Sequence, residues 1–142
     1  VWLANPKLGI PAKIMTPHEL ASWPLISDVQ QTTIQQLMSG WFAKAGVQPL
    51  HTHACPNLAT RIQLAEAGLG IALIPLTALR DELETGRLRM VEVEPALPEL
   101  GHLLVYRALD REEPVRRVIE IIKQQLTFEP NFRFSYVAAP QT

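Results

Sequence analysis

The sequence has little of three features that each mark a particular class of protein. It contains one cysteine, Cys55, which excludes an internal disulfide framework and fits a reducing compartment. No apolar stretch reaches the roughly 18–20 residues that a helix needs to cross a bilayer. No dense run of Lys and Arg occurs and the net charge is −1, so these residues do not predict a phosphate-binding surface for nucleic acid. With 47% hydrophobic and 19% charged residues among 142, the composition is typical of a globular protein.

The start of the chain predicts a strand rather than a signal peptide. The first residues, VWLAN, include no initiator Met and no charged segment, which is not the pattern of a signal peptide. The apolar start is typical of a buried strand whose first residues would precede Val1. We therefore expect the chain to be a fragment of a longer protein.

Strand and helix patterns alternate along most of the sequence. Thr16, Pro17 and Glu19 predict a helix start with a capping box, and a wide apolar stripe predicts a helix over residues 30–45 that ends at Gly46. Further helices are predicted from Asn57 to Gly68, around residues 79–83, and over residues 112–126. Strands are predicted at residues 1–4, 24–26, 50–55, 71–74, 88–93 and 102–108. This alternation predicts an α/β fold with a mainly parallel sheet.

Two neighbouring aromatic residues, Trp41 and Phe42, lie on the predicted helix of residues 30–45. Side chains one position apart cannot both point fully in one direction. The surface they form is therefore explained equally by burial in the core and by partial cover from another subunit.

Three reactive side chains alternate along one predicted strand. His51, His53 and Cys55 would share a face, which raises the hypotheses of a metal site or of a cysteine nucleophile. Neither a zinc-ligand spacing nor a cysteine-protease signature accompanies them, so a strand with surface histidines is favoured. Gly68 and Gly70 end a helix rather than begin one, which excludes a dinucleotide fingerprint. The sequence thus predicts no catalytic residue, no metal and no cofactor.

A candidate binding site lies where a strand is followed by a helix start, at Pro56, Asn57 and Leu58. Ligands of open α/β sheets bind at such edges, and the unpaired N–H groups of a first helical turn favour an anion such as a carboxylate. An asparagine cap after a proline turn is the structural alternative at these positions.

Four segments resemble the effector-binding domain of LysR-type transcriptional regulators. Residues 16–26, TPHELASWPLI, resemble the family's "-eLa--PlI" segment, and residues 41–46, WFAKAG, resemble the end of the helix that follows it. Residues 64–75, LAEAGLGIALIP, are similar to the "lv-aGlGia-lP" segment, and residues 86–91 to "g-L--v". Together they extend over about residues 1–126 in the family's order and spacing.

The resemblance implies a type 2 periplasmic-binding-protein-like fold, in which two α/β lobes enclose a ligand cleft. It implies that residues 24–104 form the complete second lobe and that residues 1–23 and 105–126 are parts of the first. Residues 127–142 depart from the family pattern and form a tail without an assigned role. The DNA-binding helix-turn-helix of the family would lie in a missing N-terminal domain, in a bacterial, cytoplasmic protein.

The resemblance also implies a site and partners. A small, anionic effector would bind between the lobes at Pro56, Asn57 and Leu58, with Ser27 and Asp28 facing the same cleft. A homodimer or tetramer would form through the helix of residues 30–45 and the strand of residues 50–53. A solute-binding protein of a transport system shares this fold and is the alternative, and an enzyme using the face of His51, His53 and Cys55 is a third hypothesis.

Overall fold

A computed structural model of the chain describes residues 1–76, 80–100 and 113–125, and residues 1–100 form one compact unit. Its strands are β1 (Trp2–Ala4), β2 (Leu25–Ser27), β3 (Thr52–Ala54), β4 (Ile71–Leu73) and β5 (Arg89–Val91). Its helices are α1 (Pro17–Leu20), α2 (Thr33–Lys44), α3 (Leu58–Glu66) and α4 (Arg80–Glu84), with a short 3-10 helix at Pro6–Leu8. The predicted α/β class and the predicted order of these elements are confirmed.

The five strands form one sheet in the order β3-β2-β4-β1-β5. β2 is parallel to β3 and β4, whereas β1 is antiparallel to both β4 and β5. Two strand pairs are parallel and two are antiparallel, so the sheet is mixed rather than mainly parallel, because β1 alone runs against the other four strands. β1 is hydrogen-bonded between β4 and β5, and the division of residues 1–23 and 24–104 between two lobes stays a prediction.

The two faces of the sheet carry separate apolar clusters, because side chains alternate along each strand. On one face, the ring centroid of Trp2 of β1 lies 5.9 Å from that of Trp41 and 6.0 Å from that of Phe42, both on α2. On the other, Leu3 and Ile26 pack with Ala65 of α3. The sheet thus lies between α1 and α2 on one side and α3 on the other.

Trp41 and Phe42 both belong to the core. They are 3% and 1% exposed, and the indole Nε1 of Trp41 donates a hydrogen bond to the Pro95 carbonyl oxygen at 2.8 Å. Both adjacent helical positions are buried here, because the Trp2 ring packs against both rings and those two rings also pack against each other. Of the two alternatives, burial in the core of the chain therefore explains these two aromatic residues, and cover by another subunit is not needed.

The starts of β2 and β4 approach each other closely at Gly70. The Ile71 N–H donates to the Pro24 carbonyl oxygen at 2.8 Å. A Cβ atom added to Gly70 would lie 2.6 Å from that same oxygen and 3.2 Å from Cγ1 of Ile26. A glycine is required at this position by the distance between two backbones.

The predicted capping box at the start of α1 is present. The Thr16 hydroxyl accepts from the Glu19 N–H, and the Glu19 carboxylate accepts from the Thr16 N–H at 2.8 Å. α2 begins three residues later than predicted, because Gln31 has a φ of 74°, which is incompatible with a helix, and Thr32 is the cap.

The carboxylate of Glu19 makes the stability of this unit depend on acid pH. A hydrogen bond and ion pair from Lys13, followed by hydrogen bonds from the backbone and hydroxyl of Thr16, lower the pKa of Glu19 from 4.5 to about 2. The stabilisation is present above the ordinary pKa and is lost as the pH falls from about 4.5 through 2. We expect a small stability advantage of the wild type over Glu19→Gln at pH 6 that shrinks toward pH 3, measured by thermal unfolding. An advantage that does not change with pH would contradict this assignment.

The remaining described helix, α5 (Glu113–Gln125), belongs to a second unit of residues 101–142. It lies within the predicted helix at residues 112–126, with Val118 and Ile121 about half exposed. The predicted strand at residues 102–108 and the tail at residues 127–142 lie outside the described residues. Among the helices that are described, none has the length and apolar character needed to span a membrane.

Candidate functional site

The carboxyl ends of β2 and β3 meet the start of α3 at one edge of the sheet. Ser27, the last residue of β2, is in register with Ala54 of β3, and its carbonyl oxygen accepts the Cys55 N–H at 2.9 Å. The segment from Cys55 to Asn57 then leads directly into α3. This edge brings together the two parts of the predicted site, which lie about thirty residues apart in the sequence.

Asn57 caps α3 as predicted. Its Oδ1 accepts a hydrogen bond from the Thr60 N–H at 3.0 Å, and its extended backbone precedes the first helical turn. Pro56 and Asn57 are exposed and Leu58 is half-buried, so the start of α3 is open to solvent. The helix itself leaves its first N–H groups without partners, and together with the helix dipole these give the edge a partial positive charge.

Ser27 and Asp28 occupy the other side of this edge. Ser27 is 3% exposed, and its hydroxyl donates to the carbonyl oxygen of Asp28 at 2.6 Å. The hydroxyl is therefore engaged locally. The Asp28 carboxylate accepts the Val29 N–H through Oδ1 at 2.8 Å and faces α3 through Oδ2.

A buried ion pair joins this carboxylate to α3. Arg61 is only 3% exposed, and its Nη2 lies 3.2 Å from Oδ2 of Asp28. Its Nε and Nη1 are buried without a hydrogen-bond partner. Each unmet donor of a buried charged group costs about 1–3 kcal/mol or more, so a folded protein keeps such a group only where another contact compensates.

Arg61 is the residue of this edge that the sequence did not predict. An arginine within an amphipathic helix is ordinarily assigned to the solvent face. The available signal was its spacing, because Arg61 is three residues after Leu58 and four before Ala65, on the apolar face of α3. Asp28 would then have been recognised as its partner only through the fold.

The strand bearing the histidines is largely exposed, as predicted. Residues 51–54 are exposed, and Cys55 is half-buried with its thiol 3.6 Å from the Asn57 carbonyl oxygen. Within residues 1–76, 80–100 and 113–125, no group of three or more His, Cys, Asp and Glu side chains is placed to hold a metal ion.

Two shallow depressions of about 340 and 360 Å³ lie at the opposite end of α3. Asn5, Lys7 and Glu66 line both of them. The carbonyl end of a helix disfavours an anion, and Arg87 is already paired with Glu66 at 2.9 Å. These depressions therefore differ in location and in charge from the predicted site.

Comparisons with known proteins agree with the architecture. The model of the LysR substrate binding domain matches residues 1–127. The chain belongs to this family. An SDS degradation transcriptional activation protein from a Pseudomonas species is 30% identical over 93 residues, which cover 66% of this chain and 29% of that protein. The chain thus spans under a third of the length of this curated relative.

Solved structures agree on the fold. The regulatory domain of HypT from Salmonella typhimurium in its bromide-bound form matches with a TM-score of 0.52 and 22% identity, over 66% of this chain and 43% of that chain. Its apo form matches with a TM-score of 0.51 and 23% identity, over 66% and 44%. The LysR-type chain accordingly has the α/β, type 2 periplasmic-binding-protein-like fold predicted from its sequence.

Proposed function

We propose that this LysR-type domain senses a small anionic metabolite at the edge formed by Ser27, Asp28, Pro56, Asn57 and Leu58. The observation that carries the proposal is the meeting of the β2 end with the exposed, Asn57-capped start of α3. A helix start supplies unpaired N–H donors and a favourable dipole to an anion. The ends of parallel strands are also where open α/β sheets receive their ligands.

The known relatives support an anion. The Pseudomonas relative is named for SDS degradation, and dodecyl sulfate is an anion, while the HypT regulatory domain is described in a bromide-bound form. Transcriptional regulators among the relatives favour a sensor over both an enzyme and a solute-binding protein of transport. Effector binding would shift the arrangement of DNA-binding domains elsewhere in a cytoplasmic regulator.

Self-association through α2 and β3 is part of the same proposal. Among the described strands, β3 lies at one edge of the sheet, its three residues are exposed, and Leu50 beside it is 71% exposed. An exposed edge strand next to an apolar side chain is suited to pairing with a second copy. Since Trp41 and Phe42 are buried within the chain, the contact surface on α2 consists of its outward residues.

The site predicts different effects for two nearby substitutions. Asn57→Ala should weaken binding of an anionic effector about tenfold, because it removes a polar group and loosens the first turn of α3. His53→Ala, on the exposed strand β3, should leave the affinity within about twofold, since an exposed side chain away from the site contributes little. A panel of small carboxylates, sulfates and phosphates is screened by thermal unfolding, and each hit is measured by calorimetry.

A second substitution of Asn57 distinguishes an effect on the helix cap from an effect on anion binding. Asn57→Asp keeps an oxygen that can accept the Thr60 N–H, so α3 retains its cap. The added negative charge should still weaken anion binding by at least tenfold. Equal affinities of the Asn57 and His53 variants would count against a site at this edge.

A further inference from the structure

The guanidinium of Arg61 has more donors than the structure satisfies. Five N–H groups are present on an arginine side chain, and the contact to Asp28 engages only Nη2. Nε and Nη1 have no partner and are shielded from solvent. A single carboxylate oxygen of Asp28 contacts the guanidinium, and two of its three nitrogens have no partner. We call this contact the incomplete ion pair.

The position of this incomplete pair is the edge described above. Arg61 is the fourth residue of α3, within a turn of the Asn57 cap, and Asp28 directly follows β2. The side chain of Asp28 is 13% exposed and that of Arg61 is 4% exposed. Asp28 is therefore the more accessible partner, and the guanidinium is almost completely buried.

The charges of the pair cancel, so the remaining field at this edge comes from the helix dipole and the unmet donors. Both attract an anion. A carboxylate, sulfate or phosphate presents several acceptor oxygens and can satisfy donors that the single Asp28 contact leaves unmet.

We propose that Arg61 is an anion-binding residue of this site and that Asp28 competes with the effector for its guanidinium. This inference rests on the proposed function and assigns it a residue. The anionic group of the effector would contact Nε and Nη1 once the contact between Asp28 and Arg61 opens. Asp28 holds the arginine in place when no effector is bound and lowers the affinity of the site.

Three variants test the competition with succinate, hexyl sulfate and inorganic phosphate as probes, each measured by calorimetry. Asp28→Asn removes the competing charge and should tighten binding of at least one probe several-fold. Arg61→Gln should weaken it at least tenfold. The double variant Asp28→Asn with Arg61→Gln leaves no unpaired charge in the core, so it should fold, and it should bind as weakly as Arg61→Gln. Thermal unfolding of each variant without probe reports its stability.

The double variant distinguishes binding by Arg61 from mere neutralisation of Asp28. If it binds the probes as tightly as the wild type does, Arg61 only compensates a charge and the proposal is overturned. Unchanged affinity in Asp28→Asn, or no binding of any of the three probes by the wild type, would also overturn it.

Asn57→Asp is measured with the same probes to keep the two proposals apart. If it weakens binding while the double variant does not, the site at the start of α3 stands and the role of Arg61 falls. If neither weakens binding, the proposed effector site itself is wrong.

Discussion

Replacing Gly70 by alanine is expected to lower the free energy of unfolding by about 3 kcal/mol, the upper part of the usual range for an overpacked core. The new Cβ would lie 2.6 Å from the Pro24 carbonyl oxygen and 3.1 Å from its carbonyl carbon. Both are backbone atoms, so the strain can be relieved only if β2 and β4 separate where the Ile71 N–H bonds to Pro24. Denaturant unfolding measures this loss of stability. The affinity of the proposed site at the end of β2 for an anionic effector should fall as well.

Gly40 provides a matched control for this substitution. It lies within α2, and a Cβ added there would meet nothing within 4 Å. Gly40→Ala should therefore raise the free energy of unfolding by about 0.5–1 kcal/mol, the gain expected for alanine in a helix interior. A similar effect of the two substitutions would refute the close approach at Gly70.

Replacing Phe42 by alanine is expected to cost about 3–5 kcal/mol, as for other buried phenylalanines. The ring is 1% exposed and lies 5.0 Å from the ring of Trp41 and 6.0 Å from that of Trp2, measured between centroids. Truncation would leave a cavity between β1 and α2 that both tryptophans border. Because this contact lies within one chain, the loss should not depend on protein concentration.

Leu50 is the comparison residue for Phe42. It is 71% exposed beside β3, so Leu50→Ala should change the free energy of unfolding of the monomer by no more than about 0.5 kcal/mol. If β3 pairs with a second copy, Leu50→Ala should instead shift the dimer–monomer equilibrium in analytical ultracentrifugation. A concentration-dependent loss in Phe42→Ala would place that ring at an interface rather than in the core.

Local patterns predicted most of the elements that position the site. The Asn57 cap, the stop of α3 near Gly68 and the buried run of β4 depend on neighbouring residues, and periodicity and capping rules report such residues. The capping box of Thr16 and Glu19 is local in the same way. The outward position of β3 also followed from its histidines.

The features that the sequence did not predict depend on distant partners. Placing β1 between β4 and β5 requires knowing which strands pair, and a four-residue apolar run is equally compatible with either lobe. Burial of Arg61 depends on Asp28, which lies on another element across the sheet edge. The joint burial of Trp41 and Phe42 depends on Trp2, whose ring packs against both of them.

The central place of β1 has a consequence for synthesis on the ribosome. This strand is translated well before both of its neighbours, Ile71–Leu73 and Arg89–Val91. Until those segments leave the exit tunnel, Trp2 and Leu3 lack the two strands that they pair with in the folded unit. Pairings of such long sequence separation slow folding, so closure of the sheet around β1 is expected late, after β2, β3 and α3 have formed.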